Sequence, residues 1–282
     1  MCETCGCGDQ GSYQIRKAGQ DESDEKNFAY THSHPHLYPH SHSHPHHDHP
    51  HLHDEPAENP STGKRIISLA KDILESNNLM AERNRGYLEA KKVFCINLVS
   101  SPGSGKTTLL EKTILKLKDN IPVYVIEGDQ QSMLDADRLS KSGIPVIQIN
   151  TGSGCHLDSH MINKAFKSLD IQSHSILFIE NVGNLVCPAL FDLGETSRVL
   201  VMSVTEGEDK PIKYPVMFRT AQLCLINKMD LLPYVDFRLD TAVGSATAIN
   251  PSLEFLQVSA KTGEGMNAWF DWIDDQLNNK MH

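Results

Sequence analysis

The stretch Ser100-Ser101-Pro102-Gly103-Ser104-Gly105-Lys106-Thr107-Thr108 constrains this chain more than any other. An apolar run from Val93 to Val99 precedes it and reads as a buried strand. Leu109, Leu110, Thr113, Ile114 and Leu117 follow it at helical spacing. Strand, glycine-rich loop and helix in that order turn successive backbone N–H groups toward one point at the positive end of a helix dipole, where an anion is held. In the pattern G-x-x-x-x-G-K-[ST], Gly103, Ser104, Gly105 and Thr108 belong to the phosphate cradle. Lys106 reaches the β- and γ-phosphates, and the Thr107 hydroxyl ligates Mg²⁺. Ser100 stands where the first glycine belongs, which raises the question of whether the backbone there needs a positive φ.

The ends of later apolar runs add to this cradle. Val123 to Ile126 leads into Glu127-Gly128-Asp129, which sets acids at the carboxyl edge of a strand, where ligands gather in an open α/β sheet. Asp129 is expected in the magnesium shell beside Thr107, with Glu127 the weaker candidate. Ile176 to Ile179 leads into Glu180-Asn181-Val182-Gly183, and Glu180 takes the place of the carboxylate that senses the γ-phosphate in switch nucleotidases. Aspartate is usual there, so Glu180 is expected to act through a water. Leu223 to Ile226 delivers Asn227-Lys228-Met229-Asp230. A carboxylate at Asp230 accepts hydrogen bonds from guanine N1–H and the exocyclic amine, whereas adenine presents the opposite donor pattern. Lys228 lies along the base in this reading, Asn227 ties the loop to the phosphate loop, and Val258-Ser259-Ala260-Lys261 offers the Ala260 N–H to guanine O6. GTP is the expected substrate, and Lys106, Asp129 and Glu180 are the expected catalytic groups. The expected fold is α/β, a P-loop GTPase fold with a mostly parallel central sheet flanked by helices, preceded by a flexible metal-binding amino-terminal segment.

Composition changes sharply along the chain. Cys2, Cys5 and Cys7 form C-x-x-C-x-C, and eleven of the 15 histidines lie between His32 and His53 among prolines and serines. Prolines and alternating polar residues leave that stretch no means of burying a core. The expected division is therefore a metal-binding motif over 1–8, a disordered histidine-rich linker over 9–59 and a single nucleotide-binding domain over 60–282. Within the domain, one helix is expected to carry Ile66 to Leu74 and a second to run from Leu79 to about Ala90. A formal net charge of −10 argues against a nucleic-acid partner. No apolar run is long enough for a membrane span and no signal segment opens the chain, so a cytoplasmic location is expected.

In that compartment seven cysteines read as thiols or thiolate ligands. Thiolates select Zn, Cu(I), Fe–S or thiophilic Ni(II). A second candidate site comes from two strand-end loops, Gly154-Cys155-His156 and Val186-Cys187-Pro188, which share the phosphate-loop edge. Cys155, His156 and Cys187 are expected to converge there, one ligand short of a closed tetrahedral site. Cys95 and Cys224, inside strands, read as core.

Taken together, the amino-terminal Cys2-x-x-Cys5-x-Cys7, the loop Ser100 to Thr108 with its serine, Gly154-Cys155-His156-Leu157-Asp158, and Glu180-Asn181-Val182-Gly183-Asn184-Leu185-Val186-Cys187-Pro188 resemble those of HypB-type hydrogenase nickel-incorporation GTPases. These belong to the metal-chaperone branch of P-loop GTPases that also contains UreG. The resemblance answers the question at Ser100. It implies a high-affinity nickel site at Cys2, Cys5 and Cys7, a weaker Ni or Zn site at Cys155, His156 and Cys187, and GTP-dependent homodimerisation. It also implies delivery of nickel to the [NiFe]-hydrogenase large subunit with a HypA-type partner. Nothing in the sequence supplies a catalytic glutamine or arginine finger, so dimerisation or a partner is expected to supply the missing charge, with Lys210 or Lys213 of a second subunit as candidates. A nickel store with GTP-controlled assembly is the alternative that the histidine tract favours, and a signalling GTPase with incidental cysteines is the other rival.

Overall fold

Each of the eight residues from Val93 to Ser100 is buried, the environment of a central strand covered on both faces of a parallel sheet. The structure, a computed structural model, describes residues 13–18, 60–130 and 133–281. In chain order these form β1 (Gln14–Lys17), α1 (Pro60–Ala90), β2 (Val93–Ser100), α2 (Lys106–Leu117), β3 (Val123–Asp129), α3 (Leu134–Ser140), β4 (Val146–Asn150) and α4 (Ser159–Ser168). The second half adds β5 (Ser175–Glu180), α5 (Cys187–Leu190), β6 (Ser197–Ser203), α6 (Lys210–Lys213), α7 (Pro215–Thr220), β7 (Leu223–Asn227), α8 (Leu239–Ile249), β8 (Glu254–Gln257) and α9 (Met266–Met281). The sheet order is β1-β4-β3-β5-β2-β6-β7-β8. Strands β2 to β8 pair in parallel and β1 alone is antiparallel, which is the expected architecture.

The pleat of β2 divides the core between two faces. Phe94, Ile96 and Leu98 meet Leu109 and Ile114 of α2 and Trp269 and Ile273 of α9 on one face. Val93 and Cys95 meet Leu88 of α1 and Ile162 and Phe166 of α4 on the other. Trp269 is fully buried, and its indole N–H donates to Thr113 Oγ1 at 2.9 Å. Each large side chain so buried contributes about 1.5–3 kcal/mol, so many contacts together hold the strand ends in register. Because β2 to β8 run one way, every loop that follows them leaves from the same edge.

Two expectations need correction. The two helices expected over residues 66–74 and 79–90 are one helix of 31 residues that opens on Pro60, a residue suited to a first turn because it has no N–H to satisfy. Asn77 sits between the two expected segments and does not interrupt them. Its Nδ2 donates to Asp192 O at 2.8 Å and its Oδ1 accepts from Ser159 N–H at 2.9 Å, so other elements satisfy the amide. The second correction concerns Gln14–Lys17, which the linker reading of 9–59 includes and which forms the edge strand β1. Four residues are too few for alternation to stand out from a polar surround. Cys2, Cys5, Cys7 and the histidine tract lie outside the described residues.

Candidate functional site

The phosphate loop closes β2 onto α2 through two left-handed glycines, Gly103 at φ +74° and Gly105 at φ +95°. At Gly105 a Cβ would also come within 2.6 Å of Asn227 Nδ2. Ser100 is the last residue of β2 and has no positive φ, so a serine fits without strain. Lys106 Nζ donates to Ser100 Oγ at 2.7 Å. Burial lowers the lysine's pKa, against the raising effect of Glu180 and other nearby acids.

The loops after β7 and β8 are fastened to this one. Asn227 Nδ2 donates to Ser104 O at 2.8 Å and Asn227 Oδ1 accepts from Ala260 N–H at 3.0 Å. Lys228, itself left-handed at φ +62°, donates from Nζ to Gly103 O at 2.7 Å. Ser259 Oγ donates to Asp230 Oδ1 at 2.6 Å, while Lys261 is exposed. The residues expected to bind phosphate and base are therefore one hydrogen-bonded unit, with the half-buried Asp230 at its rim.

Beneath the loop lies an acidic row. Glu127 of β3 is the register partner of Glu180 of β5 and of Gln148 of β4, and all three are buried. Thr107 Oγ1 donates to Glu180 Oε1 at 2.7 Å. Glu127 Oε2, Glu180 Oε2 and Ser104 Oγ are buried with no hydrogen-bond partner. Burial first, then the charges of Glu180 and Asp129, push the Glu127 carboxyl up to about 9. Burial raises Glu180 too, against the pull of Lys106 and the Thr107 hydroxyl. Asp129 stands at the strand end, where Oδ1 accepts from Gln130 N–H at 2.7 Å. Unsatisfied hard oxygens beside a threonine hydroxyl are a donor set that suits Mg²⁺. Reading along the chain ranks Glu127 below Asp129, yet the strand register gives Glu127 the buried place opposite Glu180.

The loop after β4 folds back across β3, with Leu157 lying on Gly128, where a Cβ would be 2.7 Å from its side chain. This brings Cys155 Sγ to 2.8 Å from Cys187 Sγ and 3.6 Å from His156 Nδ1. One ligand atom from each of Cys155, His156 and Cys187 lies within 4.8 Å of the others, and all three residues are half-buried. His156 stacks on Phe191 at 3.9 Å, and burial lowers its pKa, which favours the neutral imidazole that binds a metal. Cys95 and Cys224 are buried in strands, as expected of core.

Asn181 and Gly183 link this triad to the phosphate loop, and Asn97 and Glu195 brace Asn181. Asn181 Oδ1 accepts from Leu157 N–H at 3.4 Å and its Nδ2 donates to Asn97 Oδ1 at 3.2 Å. Asn97 Nδ2 donates to Glu195 Oε1 at 3.1 Å. Two positions on from Asn181, Gly183 passes so close to Pro102 that a Cβ would lie 3.1 Å from its Cα. Asn97, a lone asparagine in the middle of an apolar strand, and Glu195 extend this network beyond the Glu180 to Pro188 stretch. The two expected donors of trans charge are engaged within the chain: Lys213 with Asp209 at 2.5 Å, and Lys210 with Glu206 at 4.0 Å. Among the described residues no helix is long and apolar enough to cross a membrane.

Residues 94–257 match the family described as CobW/HypB/UreG, nucleotide-binding domain. The chain is 54% identical over 213 residues to the hydrogenase maturation factor HypB of Escherichia coli K12, covering 76% of this chain and 73% of that protein. It is similar to the crystal structure of HypB from Archaeoglobus fulgidus at TM-score 0.68 and 39% identity, over 72% of this chain and 99% of that one. It is also similar to HypB from Helicobacter pylori in complex with nickel at TM-score 0.69 and 34% identity, over 73% and 97%.

Proposed function

The chain belongs to the HypB hydrogenase maturation factors of the CobW/HypB/UreG family, and from that premise we propose that it is a GTPase whose nucleotide state times the binding and release of nickel. The observation that carries this reading is the short path between the two candidate sites. The Cys155 loop hangs on Asn181, and the same stretch crosses the phosphate loop at Gly183. A change of γ-phosphate occupancy felt at Glu180 therefore acts on the loop that places Cys187, seven residues on. Dimerisation on GTP, a HypA-type partner, the [NiFe]-hydrogenase large subunit as recipient and a cytoplasmic setting complete the proposal.

In hydrolysis, Lys106 leaves Ser100 for the β- and γ-phosphate oxygens, and the amides from Gly103 to Thr107 hold the phosphate chain. Thr107, Glu180, Glu127 and Asp129 would hold Mg²⁺, which supplies charge neutralisation on the β- and γ-phosphate oxygens when bound. Asp230 reads guanine. Cys155, His156 and Cys187 take the cargo ion, one ligand short of a closed tetrahedral set.

Nickel and nucleotide must then change each other's affinity by one common factor. Titrating Ni²⁺ in the presence of GDP and of a non-hydrolysable GTP analogue is expected to give different affinities at Cys155, His156 and Cys187, by about fivefold or more. Equal affinities would refute the coupling. A second expectation concerns the base. Asp230→Asn should weaken GDP binding roughly 10–100-fold, the loss of one charge-assisted hydrogen bond, and should favour xanthosine diphosphate, whose carbonyl can accept from the new amide. Unchanged preference for guanine in a competition assay would remove Asp230 from the base site.

A further inference from the structure

The function proposed above leaves one cation at the phosphate loop without a task. Arg138 of α3 bonds Glu111 of α2 along one edge of its fork, Nε to Oε1 at 2.9 Å and Nη2 to Oε2 at 2.6 Å. Nη2 also donates to Thr108 Oγ1 at 3.2 Å. Thr108 is one residue beyond the hydroxyl assigned to Mg²⁺, in the first turn of α2, where the cradle meets the α- and β-phosphates. The guanidinium therefore stands at the flank of the nucleotide site. Its backbone is fixed there, because Ala136 and Leu139 of the same helix are buried in the core cluster that holds Leu109 and Leu110 of α2.

Two further observations set this arginine apart from a brace between helices. Nε and Nη2 are engaged by Glu111 and Thr108, whereas Nη1 has no partner among the described residues, and the side chain is 40% exposed. Donors remain for an anion. The hydrogen bond to Glu111 raises the arginine's pKa against the effect of burial, and the charges of Asp135 and Glu180 raise it further. Glu180 is the carboxylate that accepts from Thr107, so the cation feels the acids of the same site. Lys210 and Lys213, by contrast, are paired within their own loop and helix.

We propose that Arg138 is a catalytic residue of GTP hydrolysis, acting on the nucleotide of its own chain: Nη1 and Nη2 donate to α- and β-phosphate oxygens while Nε keeps Glu111. In that step the bond from the water oxygen to the γ-phosphorus forms as the bond to the β–γ bridging oxygen breaks. The electron pair stays with GDP, and the proton of the water leaves with the phosphate. Negative charge thus builds on the departing diphosphate, on the side away from Lys106. A planar fork can hold a carboxylate and a phosphate at once, which a point charge cannot. This inference rests on the GTPase reading above and names a source for the positive charge that its sequence motifs lack.

The test uses the full chain with Mg²⁺ and GTP. Arg138→Ala should lower kcat about 30-fold, the difference an arginine held in cis makes to a slow GTPase, while KM moves less than about threefold. Affinity for GDP with aluminium fluoride, a mimic of the transferring phosphoryl group, should fall by the same factor as kcat. Millimolar guanidinium should return part of the rate to the alanine variant and none to the parent. Arg138→Lys keeps a cation for Glu111 but loses the fork, so it should melt like the parent and still hydrolyse GTP at least about tenfold more slowly. A mere brace between α2 and α3 predicts the opposite pattern, a lowered melting temperature with kcat unchanged and full activity in Arg138→Lys, and that result overturns the proposal. The ratio of parent to alanine-variant rates should be the same in dilute and concentrated protein. A ratio that falls to one on dilution assigns the arginine to the nucleotide of a second copy and also overturns it. Equal kcat in parent and alanine variant overturns the inference alone, whereas a parent chain that hydrolyses no GTP overturns it together with the GTPase reading.

Discussion

Replacing Lys106 with alanine is expected to lower the rate of GTP hydrolysis by about 10²–10³, the loss seen when one preorganised donor to a developing oxyanion is removed. The side chain is buried and hydrogen-bonded to Ser100 Oγ before any phosphate arrives. Its lowered pKa reflects desolvation, so the charge is held where water compensates it least and where a phosphate would be stabilised most. Affinity should fall more for a non-hydrolysable GTP analogue than for GDP, because the γ-phosphate is the group that only this side chain is assigned to reach. Lys106→Arg should not restore the rate, since a forked guanidinium cannot take the place of a compact ammonium between Ser100 and Glu180. Steady-state hydrolysis and calorimetric titration decide it, and a rate within a few-fold of the parent would mean that the loop binds something other than a reacting phosphate.

How much of this was legible in the sequence follows from how local each signal is. The phosphate loop, Asn227 to Asp230 and Val258 to Lys261 each carry their chemistry in consecutive residues, and the parallel strands bring them to one edge without further instruction. Cys155, His156 and Cys187 were also within reach, because each follows a buried strand of the same direction. Pairings across strands were not. Glu127 opposite Glu180 is a fact of register, which depends on how β3 and β5 align and leaves no mark in either segment alone. Nor could the antiparallel sense of β1 be read from four residues amid polar sequence, since an edge strand draws its stability from β4 rather than from its own pattern. The single run of α1 was missed for a related reason. Asn77 has its partners in α4 and at Asp192, far away in the chain.

Arg198 tests whether the metal site depends on that hidden network. Its guanidinium bonds Glu195 Oε1 at 2.8 and 2.9 Å and donates to Phe191 O, Ala189 O and Thr220 Oγ1 at 3.0, 3.3 and 2.9 Å. It thereby fixes both α5, which begins at Cys187, and the ring on which His156 stacks. Arg198→Met keeps much of the volume but leaves Glu195 buried without its cation, which costs about 3–5 kcal/mol. For a domain of this size that is a fall in Tm of roughly 6–20 °C. The pH dependence carries a sign. Burial pushes the Glu195 carboxyl upward, but Arg198 and Asn97 prevail and hold it below the ordinary carboxylate range. A depressed folded value means that the stabilisation is whole above the unfolded pKa and is lost as pH falls through the folded one. Without Arg198 the folded value rises instead, so the variant's deficit should be largest at neutral pH and should narrow toward pH 4 as Glu195 takes up a proton. Adding Glu195→Gln should recover part of the loss, and the double-mutant cycle isolates the pair. Ni²⁺ affinity at Cys155, His156 and Cys187 should fall with Arg198→Met while GDP affinity holds, because Asn227, Asp230 and Ala260 hang from β7 and β8 and not from this network. A variant that melts within 2 °C of its parent, or that loses nucleotide and nickel alike, would show that the buried pair does not hold the cysteine loop in place.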